Sequence, residues 1–251
     1  MTAPIRPHPV LRDHYASLDD RPGYTRSLFQ ATASHYERID RIFSLGSGGW
    51  YRRRALRRSG LRPGMRVLDV AVGTGLVARA ALRVTGGRAD VIRLDVSQNM
   101  LLEARRTLPI LLIHANAERL PVAEASVDFV SMGYALRHVS DLIAAFHEFL
   151  RVLRPGGTLL LLEIARPDGR ITHGLTAWYL GRCVPFLCRW LMPHSSSAAL
   201  MRYFWSTIEH CIPPAVILDQ LAASGFVEVA CDTDLDVFRA YRARKPDLPP
   251  A

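Results

Sequence analysis

Lysine is almost missing from this sequence: Lys245 is the single one among 32 Lys and Arg residues. Paired cysteines are missing as well. The four present, Cys183, Cys188, Cys211 and Cys231, contain no Cys-x-x-Cys pair, so free buried thiols are expected in place of zinc ligands or a disulfide framework, and no metal site is expected. The opening Met1-Thr2-Ala3-Pro4-Ile5-Arg6-Pro7 has no apolar core of the kind a secretory signal uses. No uncharged run reaches the ~18 residues that would suggest a spanning helix. These absences point to a cytoplasmic protein, at most peripheral to a membrane.

What is abundant is positive charge, with a formal net of +9. That invites a nucleic-acid or anionic-lipid partner, but the arginines are spread over the whole chain. The densest run, Arg52-Arg53-Arg54 with Arg57 and Arg58, reads first as the solvated face of a helix, with a lipid- or RNA-facing patch as the alternative. No aromatic-rich RNA-recognition signature accompanies it, and no nucleic-acid partner is expected.

Periodicity divides the chain. Residues 1–24 form a proline-rich irregular arm. In residues 25–60, Phe29, Ala33, Tyr36, Ile39 and Phe43 recur at steps of three and four, which predicts a helical cap; Gly46-Ser47-Gly48-Gly49 ends that helix and a second runs from Trp50 to Arg58. Residues 61–246 form the main domain. Short apolar runs at 66–71, 90–96, 110–115, 127–134 and 158–164 alternate with amphipathic segments at 76–84, 98–108 and 142–153. Strand and helix in alternation predict a doubly wound α/β fold, its parallel sheet covered on both faces. The alternation stops at 166–215, read as a helical insertion. A helix at 214–224 and two closely spaced strands, 226–233 and 236–242, predict an antiparallel hairpin at one end of the sheet; 247–251 is a tail.

In an open α/β sheet a ligand sits outside the carboxyl ends of the strands, where strand order reverses. The first strand and its loop read Val67-Leu68-Asp69-Val70-Ala71-Val72-Gly73-Thr74-Gly75, with glycines that let the backbone approach a ligand. Gly73-x-Gly75-x-x-Ala78 also satisfies the dinucleotide fingerprint, and Asp95 lies about twenty residues beyond it, so an NAD-binding reading stays open. Against it, Asp69 stands inside the strand where a dinucleotide fold has an apolar residue; a carboxylate there suits the cationic sulfonium and amino-acid end of S-adenosylmethionine (SAM). Asp95 has acceptors for both ribose hydroxyls, and Asn116 after the third strand can give and receive hydrogen bonds to adenine. Singly, Asp95 and Asn116 are equally readable as a helix cap or an Asx-turn.

With these residues the chain resembles the UbiE/COQ5 family of SAM-dependent C-methyltransferases, which act on quinone precursors with polyprenyl tails. The motifs are Val67 to Ala71 with Gly73-Thr74-Gly75, Leu94-Asp95-Val96-Ser97 with Met100-Leu101, Asn116-Ala117-Glu118 with Leu120-Pro121, Leu136-Arg137-His138-Val139, and Arg151 to Gly157 with Glu163. The likeness extends outward through Phe29 to Trp50 and Tyr203 to Phe226, covering most of the chain from about residue 25. It implies a Rossmann-like class I methyltransferase sheet with an antiparallel C-terminal hairpin, N-terminal helices and a helical lid. It further implies a cofactor set of Asp69, Gly73, Thr74, Gly75, Asp95, Val96, Met100, Asn116, Ala117 and Gly133. Acceptor contacts are expected from Tyr36, Trp178, Tyr179, Tyr203 and Thr207.

Carbon methylation of a phenol needs its hydroxyl deprotonated. The resemblance implies that Arg137 orients a water or stabilises the phenolate; His138 is read from its own chemistry as a direct base, since an unperturbed imidazole titrates near neutrality. A structural ion pair for Arg137 and a backbone contact for His138 are the plainer readings. The sequence departs from the family at His138 (usually Asn), Leu76 (usually acidic) and Thr176 (usually Tyr). The acceptor is expected to be small, largely apolar and aromatic, with carbon methylation of a quinol-type intermediate as the reading the resemblance implies; the departures near the acceptor keep O- or N-methylation of a soluble metabolite as the alternative. The segment from Leu175 to Pro193 is expected to roof the acceptor pocket, either packed against the domain or dipping into a bilayer. A homodimer is left open.

Overall fold

The computed structural model describes residues 4–107, 112–193 and 196–247. The expected start of the third strand at 110 and the end of the preceding helix at 108 lie outside these residues, as does the expected tail beyond 247. Among the described residues, seven strands form one sheet: β1 (Arg66–Val70), β2 (Asp90–Asp95), β3 (Leu112–His114), β4 (Val127–Gly133), β5 (Leu153–Ile164), β6 (Val227–Asp234) and β7 (Phe238–Arg244). Their order is β3-β2-β1-β4-β5-β7-β6. The first five strands pair in parallel and β7 runs antiparallel to both β5 and β6. The expected fold and hairpin are both present.

Side chains alternate across the pleat, which separates two cores. Leu68, Val70, Val130, Met132 and Leu161 face Phe146 and Phe149 of α6 (Leu142–Val152) and Ile217 of α10 (Pro214–Ala223). Val67, Val91, Phe129 and Leu160 face Leu56 of α3 (Gly48–Arg58) and Ala78 and Ala81 of α4 (Leu76–Val84). The helix between β2 and β3 is α5 (Gln98–Thr107). Full burial of a leucine or phenylalanine is worth ~1.5–3 kcal/mol, so this two-sided layering fixes the sheet and the loops at its carboxyl edge.

A third apolar layer lies beyond that edge. It joins Leu28 of α1 (Arg21–Thr32), Ile39 of α2 (Tyr36–Phe43), Val184 and Cys188 of α8 (Val184–Leu191), and Leu200, Tyr203 and Phe204 of α9 (Ser197–Glu209). The first helix starts at Arg21, four residues before the expected cap, because Pro22 occupies its first turn, where a missing N–H costs nothing. The helix expected to run on from Ser27 to Phe43 is broken by a 3-10 turn at Ala33–His35, where the Thr32 hydroxyl donates to the Leu28 carbonyl at 2.8 Å. In the insertion, α7 (Arg170–Trp178) passes through a widened π turn at Tyr179–Cys183 into α8. Pro185 follows immediately and cannot donate into a regular turn. Among the described residues no helix is long and apolar enough to cross a membrane, and Cys188 is the one fully buried member of four free thiols.

Candidate active site

Strand order reverses between β1 and β4, and the main cleft opens there, as the switch-point rule requires. It encloses about 1020 Å³, part of it open to solvent, and its lining includes Gly73, Asp95, Val96, Met100, Asn116, Ala117, Gly133, Tyr36 and His138. Nine of the sequence-predicted site residues are thus brought together. Asp95 ends β2, buried, with Oδ2 accepting from the Gly73 N–H at 2.8 Å and Oδ1 from the Ser97 N–H at 2.7 Å. Burial raises its carboxyl above the ordinary range, against those backbone donors. The glycine loop and the carboxylate are therefore one rigid unit, and each oxygen keeps a lone pair for a ligand hydroxyl.

Gly73 has φ +56° and a Cβ there would meet nothing within 4 Å, so the loop leaves open space beside it. Asn116 makes the Asx-turn anticipated as its plainer reading, its Oδ1 accepting from the Glu118 N–H at 3.1 Å. Its amide nitrogen remains available to the cleft. Glu118 Oε1 accepts from the Ser140 N–H at 2.6 Å and so ties the loop after β4 to this wall. Asp69, Thr74 and Gly75 do not line the cleft. Gly75 is the left-handed residue that starts α4, and Asp69 lies beneath the loop, accepting from Ser131 Oγ at 2.7 Å. Burial pushes the Asp69 carboxyl up to about 7, against the Ser131 hydroxyl and the Arg93 guanidinium that lies in register on β2. Asp69 Oδ2 and Thr74 Oγ1 are buried without a protein partner. Two orphaned acceptors under an open glycine turn fit a polar, cationic ligand, and the amino-acid end of SAM has that chemistry.

A second, more apolar cavity of about 480 Å³ adjoins the first. It shares Tyr36 and Tyr134 with the cleft and is otherwise lined by Ile39, Phe43, Ile164, Met201, Phe204 and Phe238, with Asp40, Ser44, Gly48, Arg52 and Arg137. Tyr134, the residue after β4, lies in the left-handed region at φ +60°, a strained conformation for a bulky residue. Burial raises the Tyr36 and Tyr134 phenols well above their ordinary range, so both remain neutral donors.

Arg137 lies in the wall of this second cavity, not in the main cleft. Its Nε donates to Glu163 Oε2 at 2.7 Å and its Nη1 to Thr207 Oγ1 at 2.8 Å, while the Leu136 N–H holds the other Glu163 oxygen at 2.8 Å. The structural ion pair named as its plainer reading is therefore present. His138 is stacked against Tyr203 and Phe204, with centroids 5.4 and 5.7 Å away, and meets Phe29 edge-on. Burial, with Arg137 and Arg21 nearby, holds its imidazole well below its usual titration range. The near-neutral titration expected for a direct base is thus corrected: the ring stays neutral and is a weak base.

The expected acceptor contacts need the same correction. Of the five, Tyr36 lines a cavity. Tyr203 is a buried buttress, 3.1 Å from Thr25 Oγ1 and stacked on His138; Thr207 holds Arg137; Tyr179 donates to the Ile42 carbonyl at 2.8 Å, pinning the π turn to α2. Trp178 is 59% exposed on the outer surface. Sequence reasoning missed Tyr134, although it directly follows Gly133 at the end of β4. It also missed Asp40 and Arg52, which lie on separate helices without any motif. Arg52 is no part of a solvated face: it is buried and donates to both carboxylate oxygens of Asp40.

A family model described as the ubiE/COQ5 methyltransferase family matches residues 17–233. The ubiquinone/menaquinone biosynthesis C-methyltransferase UbiE of Syntrophotalea carbinolica is 35% identical over 216 residues, covering 84% of this chain and 90% of that one. The demethylmenaquinone methyltransferase of Mycobacterium sp. (strain KMS) is 36% identical over 174 residues, covering 69% and 74%. Two solved SAM-dependent methyltransferases share the fold at low identity. One from Thermotoga maritima superposes at TM-score 0.62 with 18% identity, covering 87% of this chain and 99% of that one. One from Aquifex aeolicus superposes at 0.55 with 16% identity, covering 82% and 97%.

Proposed function

We propose, from the premise that this chain is a SAM-dependent methyltransferase and belongs to the ubiE/COQ5 methyltransferase family, that its acceptor is a phenolic ring with a long apolar tail, of the quinol-precursor type, methylated at a ring carbon. The observation that carries this reading is the pair of adjoining cavities. One is polar-rimmed around Gly73 and Asp95; the other is mostly apolar, and the two meet at Tyr36 and Tyr134. A soluble amine or a hydrophilic metabolite has no use for a wall of Ile39, Phe43, Met201 and Phe238.

In this reading Asp95 accepts the ribose hydroxyls, Asn116 meets the adenine, and Gly73, Val96, Met100, Ala117 and Gly133 shape the donor's bed. When bound, the donor supplies a methyl group already activated on a sulfonium, so the protein's work is alignment and exclusion of water. Gly75 turns the chain into α4, and Asp69 and Thr74 offer unpaired oxygens beneath the loop for the donor's cationic amino-acid end. Arg137 organises the inner cavity through Glu163 and Thr207, and His138 packs the ring side of the cleft as a neutral wall.

The tail reaches the enzyme from a membrane surface. Ile171, Leu175, Trp178, Phe186 and Trp190 are all exposed at steps of three, four and eight along α7 and α8, forming one outward stripe. Exposed Arg182 and Arg189 flank it, and aromatic and arginine side chains together suit an interface with anionic lipid. The test is an acceptor panel with labelled SAM: tailed phenols and quinols, their tail-less analogues, and soluble amines. Turnover should be fastest with the tailed phenols. Preferred methylation of a soluble amine would overturn this reading.

A further inference from the structure

We propose that Asp40 is the general base that takes the proton from the acceptor's ring hydroxyl, and that Arg52 receives the resulting oxyanion. The inference rests on the phenolic-acceptor reading and names residues that reading did not use. Asp40 comes from α2 and Arg52 from α3. Both line the inner cavity, where side-chain exposure is 20% for Asp40 and 4% for Arg52. Arg52 grips both carboxylate oxygens, and its Nε is buried without a partner. Its guanidinium lies over the Tyr134 ring, 5.4 Å from the centroid, at the junction of the two cavities.

The other charged or basic groups at this junction are committed elsewhere. Arg137 is spent on Glu163 and Thr207. His138 faces the main cleft, stacked against Tyr203 and Phe204, and burial beside Arg137 weakens it as a base. Asp40 is the one carboxylate in the lining of the apolar cavity.

The chemistry closes without moving net charge into an apolar space. The phenolic O–H bond breaks and its proton goes to an Asp40 oxygen. Arg52, losing its carboxylate partner, pairs with the new oxyanion, so one ion pair replaces another. The oxygen's electron pair delocalises onto the ring, and a ring carbon forms a bond to the methyl carbon as the methyl–sulfur bond breaks with its electrons going to sulfur. The ring carbon then loses its hydrogen as a proton to water, and Asp40 returns its proton to the oxygen. One proton is released in all.

The test compares wild type with Asp40→Asn in single turnovers on phenols of falling hydroxyl pKa, alongside SAM affinity. A general base is worth ~10²–10⁴-fold. The variant should be at least ~100-fold slower on weakly acidic phenols, with the deficit shrinking below ~10-fold on phenols already ionised at the assay pH. A second readout needs no turnover: the absorbance of a nitrophenol probe bound to the protein alone should show ionisation at lower pH than in water, and Arg52→Gln should abolish that shift. If Asp40→Asn does not fold, Asp40→Asn with Arg52→Gln removes both charges and should be slow and unshifted. A deficit that stays constant across the phenols, or a probe that titrates as in water in the wild type, overturns the assignment. A wild type that methylates no phenol overturns the acceptor reading itself.

Discussion

Arg137→Ala is the perturbation with the most calculable consequence. The Arg137 and Glu163 side chains are 1% and 4% exposed and meet at 2.7 Å. Removing the arginine leaves Glu163 buried with only the Leu136 and Ile164 N–H groups as donors, and leaves Thr207 Oγ1 with only its bond to the Phe204 carbonyl. Breaking a buried pair from one side costs ~3–5 kcal/mol, because the remaining charge is uncompensated. At ~2–4 °C per kcal/mol for a chain of this size, the melting temperature should fall by roughly 6–20 °C. Adding Glu163→Gln should recover part of the loss, which a double-mutant cycle by calorimetric unfolding measures directly. The reasoning is refuted if Arg137→Ala melts within ~2 °C of wild type while turnover collapses, for Arg137 would then act on reacting atoms and not through the loop it holds.

Other consequences follow from the same geometry. Asp95→Ala should weaken SAM binding by ~1.5–3 kcal/mol, the scale of hydrogen bonds to a charged acceptor, read by titration calorimetry; unchanged affinity would remove Asp95 from the donor site. His8 is 2% exposed, and burial beside Arg21 lowers its pKa to about 4. The unfolded chain therefore binds that proton first, and the stabilisation present at pH 7 is lost as pH falls from about 6.5 to about 4, by roughly 3 kcal/mol. In His8→Phe the acid-side fall of denaturant stability should be shallower by that amount, and parallel curves would contradict the assignment. Trp178→Ser with Trp190→Ser should reduce co-sedimentation with anionic vesicles several-fold while leaving unfolding unchanged. Equal sedimentation would mean that the stripe is not the lipid contact.

The sheet was legible because its signals are local: β-branched and leucine-rich runs of strand length separated by amphipathic segments of helix length predict parallel layering directly. The wall of the main cleft was legible for a related reason, since the switch-point rule converts loop position into cleft position, and Gly73, Asp95 and Asn116 all sit at or just after strand ends. Tyr36 was placed on a helix by periodicity and singled out by the family resemblance. What failed depends on distances along the chain that no pattern encodes. Arg52 belongs to a run that looks solvated, yet the turn at residues 44–47 folds α3 back so that this one arginine reaches Asp40. Tyr203 and Thr207 read as acceptor contacts, but α9 lies behind the loop after β4, where they brace His138 and Arg137. Trp178 was assigned to a pocket because apolar segments are usually buried, and it faces outward instead.

The central claim is carbon methylation of a tailed phenol, and the position of the transferred label tests it most directly. Wild-type enzyme, SAM carrying a ¹³C-methyl group and a polyprenylated dihydroxy-ring acceptor should give one product, whose labelled methyl resonates as a ring-bound carbon. A label found on oxygen or nitrogen, or no transfer to tailed phenols while a soluble amine is methylated, would contradict the account.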